Sequence, residues 1–246
     1  MNFEIFKKYE DKILSKTTDR FGGVSKAPYE SLNLALHVED NPIDVLKNRE
    51  ILSQKYNFPL QNLIYMDQVH KNSVVLIKDP LVNKIENCDA IVTNIKNIPL
   101  MVMVADCVPL SFYDPNKSVI AVAHAGRNGT FLNIAQKTVN KMVEEFGTDT
   151  NDIRVGIGVS IGACCYEVGK DLADICQKSF GQEYVAKRDE SYFIDLKKLN
   201  RDQLIDCGIK AENIEVSDEC SCCNESYFSY RRDGVTGRFA SIMMIR

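Results

Sequence analysis

Residues 98–126 read IPLMVMVADCVPLSFYDPNKSVIAVAHAG. They contain three apolar runs of strand length, Leu100–Ala105, Leu110–Tyr113 and Val119–Ala123. The runs are apolar at nearly every position, which predicts strands buried on both faces. Cys107 lies between the first two runs, and His124 follows the third. Because open sheets gather their site residues at strand ends, this stretch predicts both the centre of a sheet and the position of a site.

Helical patterns flank these strands. A helix is predicted from Asn41-Pro42, a capping residue followed by one suited to the first turn, to a point before Pro59. A second helix is predicted from about Thr130 to Phe146, where apolar residues recur at steps of three or four. Further strands are predicted at Leu63–Met66, Val74–Ile77, Ala90–Thr93, Ile153–Val159, Ile214–Val216 and Phe239–Ile245, and helices near Leu172–Phe180 and Leu196–Cys207. This mixture predicts an α/β or α+β fold, built as a single domain over residues 1–246.

Composition excludes several classes of protein. The 246 residues carry 30 Lys plus Arg against 34 Asp plus Glu, for a formal net charge of −4. That balance argues against a general binder of nucleic acid or of anionic membranes. The longest apolar run, Ile98 to Ala105, is far shorter than the roughly 20 residues of a membrane span. The N-terminus has charges where a signal peptide needs an apolar stretch, and the nine cysteines are an odd number, so we expect reduced thiols in a cytoplasmic protein.

Three residues at predicted strand ends could form a metal site. His70, Cys107 and His124 offer two imidazoles and one thiolate, a set suited to catalytic zinc and also acceptable to copper. Spacing alone leaves open the simpler interpretation that the histidines are hydrogen-bonded strand-end residues and Cys107 is a buried thiol. His37 is the only other histidine, and we expect a structural role for it.

Two further groups of cysteines give weaker evidence of metal binding. Cys220-Ser221-Cys222-Cys223 resembles a metal clip but has no matching second half of a zinc knuckle. Cys164 and Cys165 are adjacent, and neighbours on a regular strand point to opposite sides. We therefore expect both groups to be structural.

An arginine-rich segment near the C-terminus could bind an anion. Residues 228–238 read FSYRRDGVTGR, and their arginines and glycines could offer forked donors and close backbone approach to phosphate. The same residues would also suit a surface hairpin in which the arginines pair with Asp233.

Taken together and in order, nine segments resemble the bacterial laccase-domain family, first called multicopper polyphenol oxidoreductase and later described as purine nucleoside phosphorylase. The segments are Arg20–Ser25, Ser31–Leu34, Asn48-Arg49, Asp67–His70, Asp89–Thr93, Ala105–Pro109, His124–Gly126, Gly158–Val168 and Ser229–Arg238. They span almost the whole chain. The family usually reads His-Ala-Gly-Trp-Arg-Gly, whereas Arg127-Asn128 stands here for Trp-Arg and Leu34-Ala35 for the usual Leu-Gly.

The resemblance implies a sandwich of two mixed sheets flanked by helices, with His70, Cys107 and His124 as the metal triad. It also implies cleavage of adenosine, inosine and methylthioadenosine with phosphate, and deamination of adenosine. Zinc is the expected metal and copper the alternative; purine nucleosides and phosphate are the expected partners, and the oligomeric state is left open.

Within that scheme, Arg49, Arg231 and Arg232 suit the holding of phosphate, and Asp106 is a candidate acid–base group or an orienting residue beside Cys107. Three rival functions use the same residues: a copper-dependent polyphenol oxidase, a metal-free cysteine hydrolase with Cys107 as nucleophile and His124 as base, and a non-catalytic metal-binding protein.

Overall fold

The structure is a computed structural model that describes residues 2–246; Met1 of the expected domain range lies outside the described residues. Within residues 2–246 the chain forms fourteen strands and seven α-helices. The strands are β1 (Ile13–Thr17), β2 (Ile64–Met66), β3 (Val74–Leu76), β4 (Lys84–Ile85), β5 (Ala90–Thr93), β6 (Leu100–Val104), β7 (Val108–Asp114), β8 (Val119–Ala125), β9 (Arg154–Ile157), β10 (Glu167–Val168), β11 (Val185–Arg188), β12 (Ser191–Ile194), β13 (Ile214–Val216) and β14 (Phe239–Ile245). The helices are α1 (Glu4–Lys7), α2 (Pro42–Tyr56), α3 (Arg127–Phe131), α4 (Ile134–Phe146), α5 (Lys170–Phe180), α6 (Leu196–Asp206) and α7 (Tyr230–Asp233).

Two large mixed sheets form a sandwich. One sheet has five strands in the order β1-β14-β6-β2-β4, and the other has six in the order β13-β9-β7-β8-β5-β3. Each sheet combines parallel and antiparallel neighbours. Strands β6, β7, β8 and β14 are buried at every position, as their apolar sequences predict. The predicted sandwich of two mixed sheets is therefore confirmed.

Helices cover the outer face of each sheet. Between the sheets lies an apolar layer that includes Ile91, Val102 and Phe239. The outer face of the six-stranded sheet packs against α4 and α6, and that of the five-stranded sheet against α2. The side chain of Asn41 accepts a hydrogen bond from the backbone N–H of Ile43, so α2 begins where the sequence predicts. Such a cap is typically worth about 1 kcal/mol.

The fold differs from the sequence prediction in one split helix and in several elements that were not predicted, among them the short α1, β4 and α7. The helix expected over residues 130–146 is split, because Asn133 adopts a left-handed conformation between α3 and α4. A third, three-stranded sheet of β10, β12 and β11 and the first strand β1 were not predicted. Strand β11 is mostly exposed, so its sequence lacks the apolar pattern that identifies buried strands.

Sheet register brings the ends of several strands to one place. Strand β8 pairs with β7 so that Pro109 lies opposite His124, which leaves Cys107 just past the end of the ladder, beside Gly126. On the other side of β8, Ala90 of β5 pairs with Ala123, so that Asp89 lies next to His124. The loop after β2 brings His70 to the same edge. None of the helices formed by residues 2–246 combines the length and apolar character that a membrane span requires.

Candidate metal centre and the cavity around it

The donor atoms of His70, Cys107 and His124 lie within 4.8 Å of one another. The Sγ atom of Cys107 is 4.0 Å from Nε2 of His70, and the two imidazole rings meet edge to face with centroids 4.7 Å apart. Bonds of about 2.1 Å to nitrogen and 2.3 Å to sulfur would place tetrahedral donors at comparable separations. The three side chains therefore fit one zinc ion and leave a fourth position open.

Asp89 orients two of these residues. Its Oδ1 atom lies 2.8 Å from Nδ1 of His124, which leaves Nε2 of His124 for a ligand. The same carboxylate accepts hydrogen bonds from the backbone N–H groups of His70 and Lys71 at 2.9 and 2.8 Å. His70 has a positive φ of 57°, and these bonds hold it there. Asp89 is fully buried, so it acts as a carboxylate support behind the ligands, a role that the sequence analysis did not assign.

Electrostatics favour the ligating form of Cys107. Burial alone would raise the pKa of the Cys107 thiol, but the imidazoles of His124 and His70 outweigh that effect and lower the pKa. Burial alone would lower the pKa of His124, yet the Cys107 thiolate and Asp89 raise it. These effects favour the Cys107 thiolate, which metal binding and nucleophilic attack both require.

Gly126 makes the close approach of the ligands feasible. A Cβ atom at this position would lie 3.1 Å from Sγ of Cys107 and 3.1 Å from Cδ2 of His70. Any side chain here would crowd two of the three donors. Glycine at position 126 thus allows Cys107 and His70 to approach each other without displacement.

A cavity of about 350 Å³ opens onto the three ligands. Its wall is formed by His37, Gln68, His70, Met103, Val104, Ala105, Cys107, His124, Tyr230 and Arg238. A volume of this size is typical of small-molecule sites. From the sequence, His37 was expected to be structural, and Arg238 was considered only as part of the arginine-rich segment that could bind an anion.

The predicted phosphate-binding arginines occupy three different environments. Arg49 is buried, donates from Nε to the Leu34 carbonyl at 2.9 Å and stacks on Tyr65. Every guanidinium nitrogen of Arg232 donates to a backbone carbonyl or to Asp233. Neither residue belongs to the cavity wall. Arg231 is exposed beside Tyr230 and donates to the Cys165 carbonyl from one nitrogen, Nη1, at 2.9 Å.

Asp106 adjoins the site but faces away from the cavity. Its Oδ1 atom accepts from the Ser221 hydroxyl at 2.7 Å, and its Oδ2 atom accepts from the backbone N–H of Arg231 at 2.6 Å. With both oxygens engaged, this carboxylate orients the loop that carries Cys107. Asp106 is not among the cavity-wall residues described within 2–246, and both of its oxygens already accept hydrogen bonds.

Arg127, one of the departures from the family pattern, is the first residue of α3 and is half-buried. Burial raises the pKa of the Tyr166 phenol, and the positive charge of Arg127 opposes that rise. The Arg231 guanidinium lies 5.3 Å from the Tyr166 ring centroid. Two cationic side chains therefore lie near Tyr166, outside the cavity wall.

Comparison with known proteins identifies the family of the chain. Residues 15–246 match the family model described as multi-copper polyphenol oxidoreductase laccase. The chain therefore belongs to the multi-copper polyphenol oxidoreductase laccase family.

Two individual relatives and one solved structure resemble the chain over nearly its whole length. The chain is 39% identical over 247 residues to the purine nucleoside phosphorylase YlmD of Bacillus subtilis (strain 168), covering 94% of this chain and 88% of that protein. It is 34% identical over 237 residues to the purine nucleoside phosphorylase YfiH of Escherichia coli (strain K12), covering 95% and 94%. The crystal structure of the Bacillus licheniformis hypothetical protein YfiH superposes with a TM-score of 0.91 at 32% identity, covering 98% of this chain and 94% of that one.

Proposed function

We propose that the chain is a purine nucleoside phosphorylase that cleaves adenosine, inosine and methylthioadenosine with phosphate and holds zinc at His70, Cys107 and His124. The observation that carries the proposal is the His–Cys–His set in a cavity that also contains Arg238 and His37. Two relatives that align with more than nine-tenths of this chain are named purine nucleoside phosphorylase, which supports the same activity.

The reaction makes two demands on the protein. A phosphate oxygen forms a bond to C1′ of the ribose while the bond from C1′ to the purine nitrogen breaks, and its electron pair leaves with the base, which takes up a proton. The protein must therefore hold an anion at C1′ and stabilise or protonate the departing purine.

Arg238 is the residue best placed to hold the anion. It lies in the cavity wall, and Nη1 donates to the carbonyls of Thr236 and Gly237 at 2.8 and 2.9 Å, which fixes the guanidinium plane. Burial lowers the pKa of Arg238, but from so high a value that the group stays charged. Arg231 is the second candidate, since only Nη1 of its guanidinium group donates a hydrogen bond within residues 2–246, which leaves Nε and Nη2 for an anion.

The donor set of the triad suits zinc, and its mixed nitrogen and sulfur atoms would also accept copper. Zinc bound to these three residues would supply a Lewis acid with one open position. The residues themselves do the positioning: Asp89 fixes the ring of His124, and the Asp89 carboxylate also fixes the backbone at His70.

His37 is the candidate proton-transfer residue. None of the cavity-wall residues described within 2–246 is Asp or Glu. Apart from the three proposed zinc ligands, the titratable side chains there are His37, Tyr230 and Arg238, and of these only histidine is a residue type that ordinarily titrates near neutral pH. Burial and the charge of Arg238 lower the pKa of His37, which favours the neutral ring at pH 7. The neutral ring can accept a proton from the attacking phosphate and, as the imidazolium, pass it to the departing purine. The proposal includes deamination of adenosine as a side activity, for which His37 would move the proton.

Product analysis tests the function. Purified protein is incubated with adenosine, with and without inorganic phosphate, and the products are separated by chromatography. Adenine and ribose 1-phosphate that form only with phosphate are the expected result, with a smaller amount of inosine. His124→Ala is the matched control and should form none of them. Zinc-loaded wild type that forms neither adenine nor inosine would overturn the proposal.

One rival is favoured by a specific observation. The lowered pKa of Cys107 beside His124 is also the arrangement of a cysteine nucleophile and its base. A cysteine hydrolase would be active without metal, whereas the proposed phosphorylase would lose activity when zinc is removed. A copper-dependent polyphenol oxidase would instead consume oxygen and a phenol after copper loading.

A further inference from the structure

A second cluster of metal-ligating side chains lies away from the cavity ligands. The Sγ atoms of Cys164, Cys165, Cys220 and Cys223 all lie within 4.8 Å of one another. The sulfur of Cys223 is 3.6 Å from that of Cys164 and 3.3 Å from that of Cys165. A disulfide needs about 2.0 Å between sulfurs, and all four thiols are free.

The backbone explains why the sequence analysis did not find this cluster. Cys164 and Cys165 lie in a turn in which the N–H groups of Cys165 and Tyr166 both donate to the Gly162 carbonyl, so the strand rule of opposite sides does not apply. Cys220 and Cys223 are separated by two residues in a second turn, closed by the Asn224 N–H on the Cys220 carbonyl. The adjacent Cys164-Cys165 pair thus lies where the second half of such a clip would be, and the two cysteine groups, which the sequence analysis treated separately, form one cluster.

The two turns are held together before any ion binds. Ser160 and Cys220 form a parallel bridge, and the Ser221 N–H donates to the Ser160 carbonyl at 3.0 Å. The Gly162 N–H donates to Sγ of Cys220 at 3.2 Å, a bond typical of a sulfur that carries negative charge. A Cβ atom on Gly162 would lie 3.1 Å from Sγ of Cys164, so glycine is needed for this approach.

We propose that Cys164, Cys165, Cys220 and Cys223 bind one zinc ion as a structural site. Tetrahedral bonds of about 2.3 Å from zinc to sulfur place neighbouring sulfurs about 3.8 Å apart, close to the separations here. A single ion fits sulfurs this close together, and an all-thiolate set favours zinc among the common divalent cations. This inference is independent of the proposed function.

Surrounding charges suit such a site. Three cationic side chains donate to backbone carbonyls of the two segments: Arg188 to Cys164, Arg231 to Cys165, and Lys197 to Ser217 and Glu219. They would balance the net negative charge of four thiolates around one divalent ion. Cys164 and Cys223 are exposed, which gives the ion an entry path.

The cluster is connected directly to the cavity loop. Ser221, between Cys220 and Cys223, donates to Asp106, and Arg231, tied to the Cys165 carbonyl, donates its backbone N–H to the other oxygen of Asp106. Asp106 precedes the cavity ligand Cys107. Zinc at the four-cysteine site would therefore fix the position of Asp106 and of Arg231, next to the loop that carries Cys107.

Zinc content of the full chain, purified under reducing conditions and measured by mass spectrometry, tests the proposal. We expect about two zinc ions per wild-type chain, about one in Cys223→Ser, about one in Cys107→Ser and none in the double variant. Cys222→Ser is the matched control, because Cys222 lies in the same turn but outside the four-sulfur group, and it should keep both ions.

The zinc content of the two single variants distinguishes failure of the four-cysteine site from failure of the cavity site. One zinc in wild type that is lost in Cys107→Ser but kept in Cys223→Ser overturns the four-cysteine site and leaves the cavity site standing. The reverse pattern supports the four-cysteine site and removes the cavity metal.

A spectroscopic measurement on the wild-type protein tests the proposal even if a serine variant does not fold. Wild type loaded with Co²⁺ should show charge-transfer absorption with the intensity of four thiolates at one ion, in addition to the one thiolate of the cavity site. Cys223→His, which keeps a zinc ligand at this position, should retain both ions. Co²⁺ absorption from one thiolate only, or a Cys165–Cys223 disulfide found in protein purified under reducing conditions, would overturn the proposal.

Discussion

Asp89 and His124 form a fully buried pair in which a carboxylate oxygen lies 2.8 Å from Nδ1 of the ring. The backbone carbonyl of Asp89 also accepts the N–H of His124 at 2.7 Å, so β5 and β8 are joined at this point through both main chain and side chain. The contact fixes which ring nitrogen faces Cys107. A residue that touches no substrate in this arrangement thus decides the orientation of a metal ligand.

Asp89→Asn should weaken zinc binding at the cavity site by about ten- to a hundredfold, because supports of this kind typically contribute that much to metal affinity. Competition with a chelating dye measures the affinity. Asp67→Asn is the control, since Asp67 makes an exposed ion pair with Lys84 at 3.5 Å. Equal zinc affinities in Asp89→Asn and wild type would contradict the role of Asp89.

Gly126→Ala should reduce zinc binding and activity together, because the added methyl group would press on Cys107 and His70 at 3.1 Å. Gly169→Ala is the matched control; nothing lies within 4 Å of its added carbon. Both variants are assayed for adenine release and zinc content. An unaffected Gly126→Ala would show that the ligands have more room than the structure gives them.

The arginines should separate into binding and structural roles. Arg238→Gln is expected to raise the KM for phosphate about ten- to a hundredfold, since a charge-assisted hydrogen bond is worth about 1.5–3 kcal/mol. Arg232→Ala should instead lower the thermal midpoint and leave that KM unchanged, because its donors hold the carbonyls of Ser221 and Tyr227. Steady-state kinetics with varied phosphate measure the KM, and a melting curve measures the thermal midpoint. A raised KM in Arg232→Ala alone would reverse the assignment.

Acid should weaken the pair of Asp233 and Arg232. Hydrogen bonds from Arg232 lower the pKa of Asp233 below its usual value of 3.8. The stabilisation is therefore complete above the unfolded pKa and is lost as the pH falls through the lower folded pKa. Asp233→Asn should cost about 1 kcal/mol at pH 7 and progressively less in acid, measured by urea unfolding. Glu144→Gln, which removes an exposed pair at 3.8 Å, should change little at either pH. A cost of Asp233→Asn that is independent of pH would contradict this assignment.

Much of the fold and part of the site follow from the sequence. Apolar runs at 100–105 and 119–123 predict central strands because burial on both faces leaves a local signal, and the cap at Asn41 predicts the start of α2. His70, Cys107 and His124 are prominent because so few side chains combine these donor types with a strand end.

The remainder depends on contacts between distant segments. Asp89 reaches His124 through the register of β5 on β8, and Arg238 reaches the cavity through the last strand of the other sheet. Cys164 and Cys220 are 56 residues apart in sequence, and their juxtaposition depends on two turns that no local pattern predicts. Tertiary pairing of this kind is not encoded in the spacing of neighbouring residues.

The central claim is that zinc at His70, Cys107 and His124 supports phosphate-dependent cleavage of purine nucleosides. The most direct measurement is the rate of adenine release from adenosine and phosphate as zinc is returned to metal-free protein, for wild type and Cys107→Ser side by side. Wild type should regain activity as zinc binds, and Cys107→Ser should stay at least about a hundredfold slower at every zinc concentration. Full activity in metal-free wild type, or recovery of Cys107→Ser to the wild-type rate, would contradict this claim.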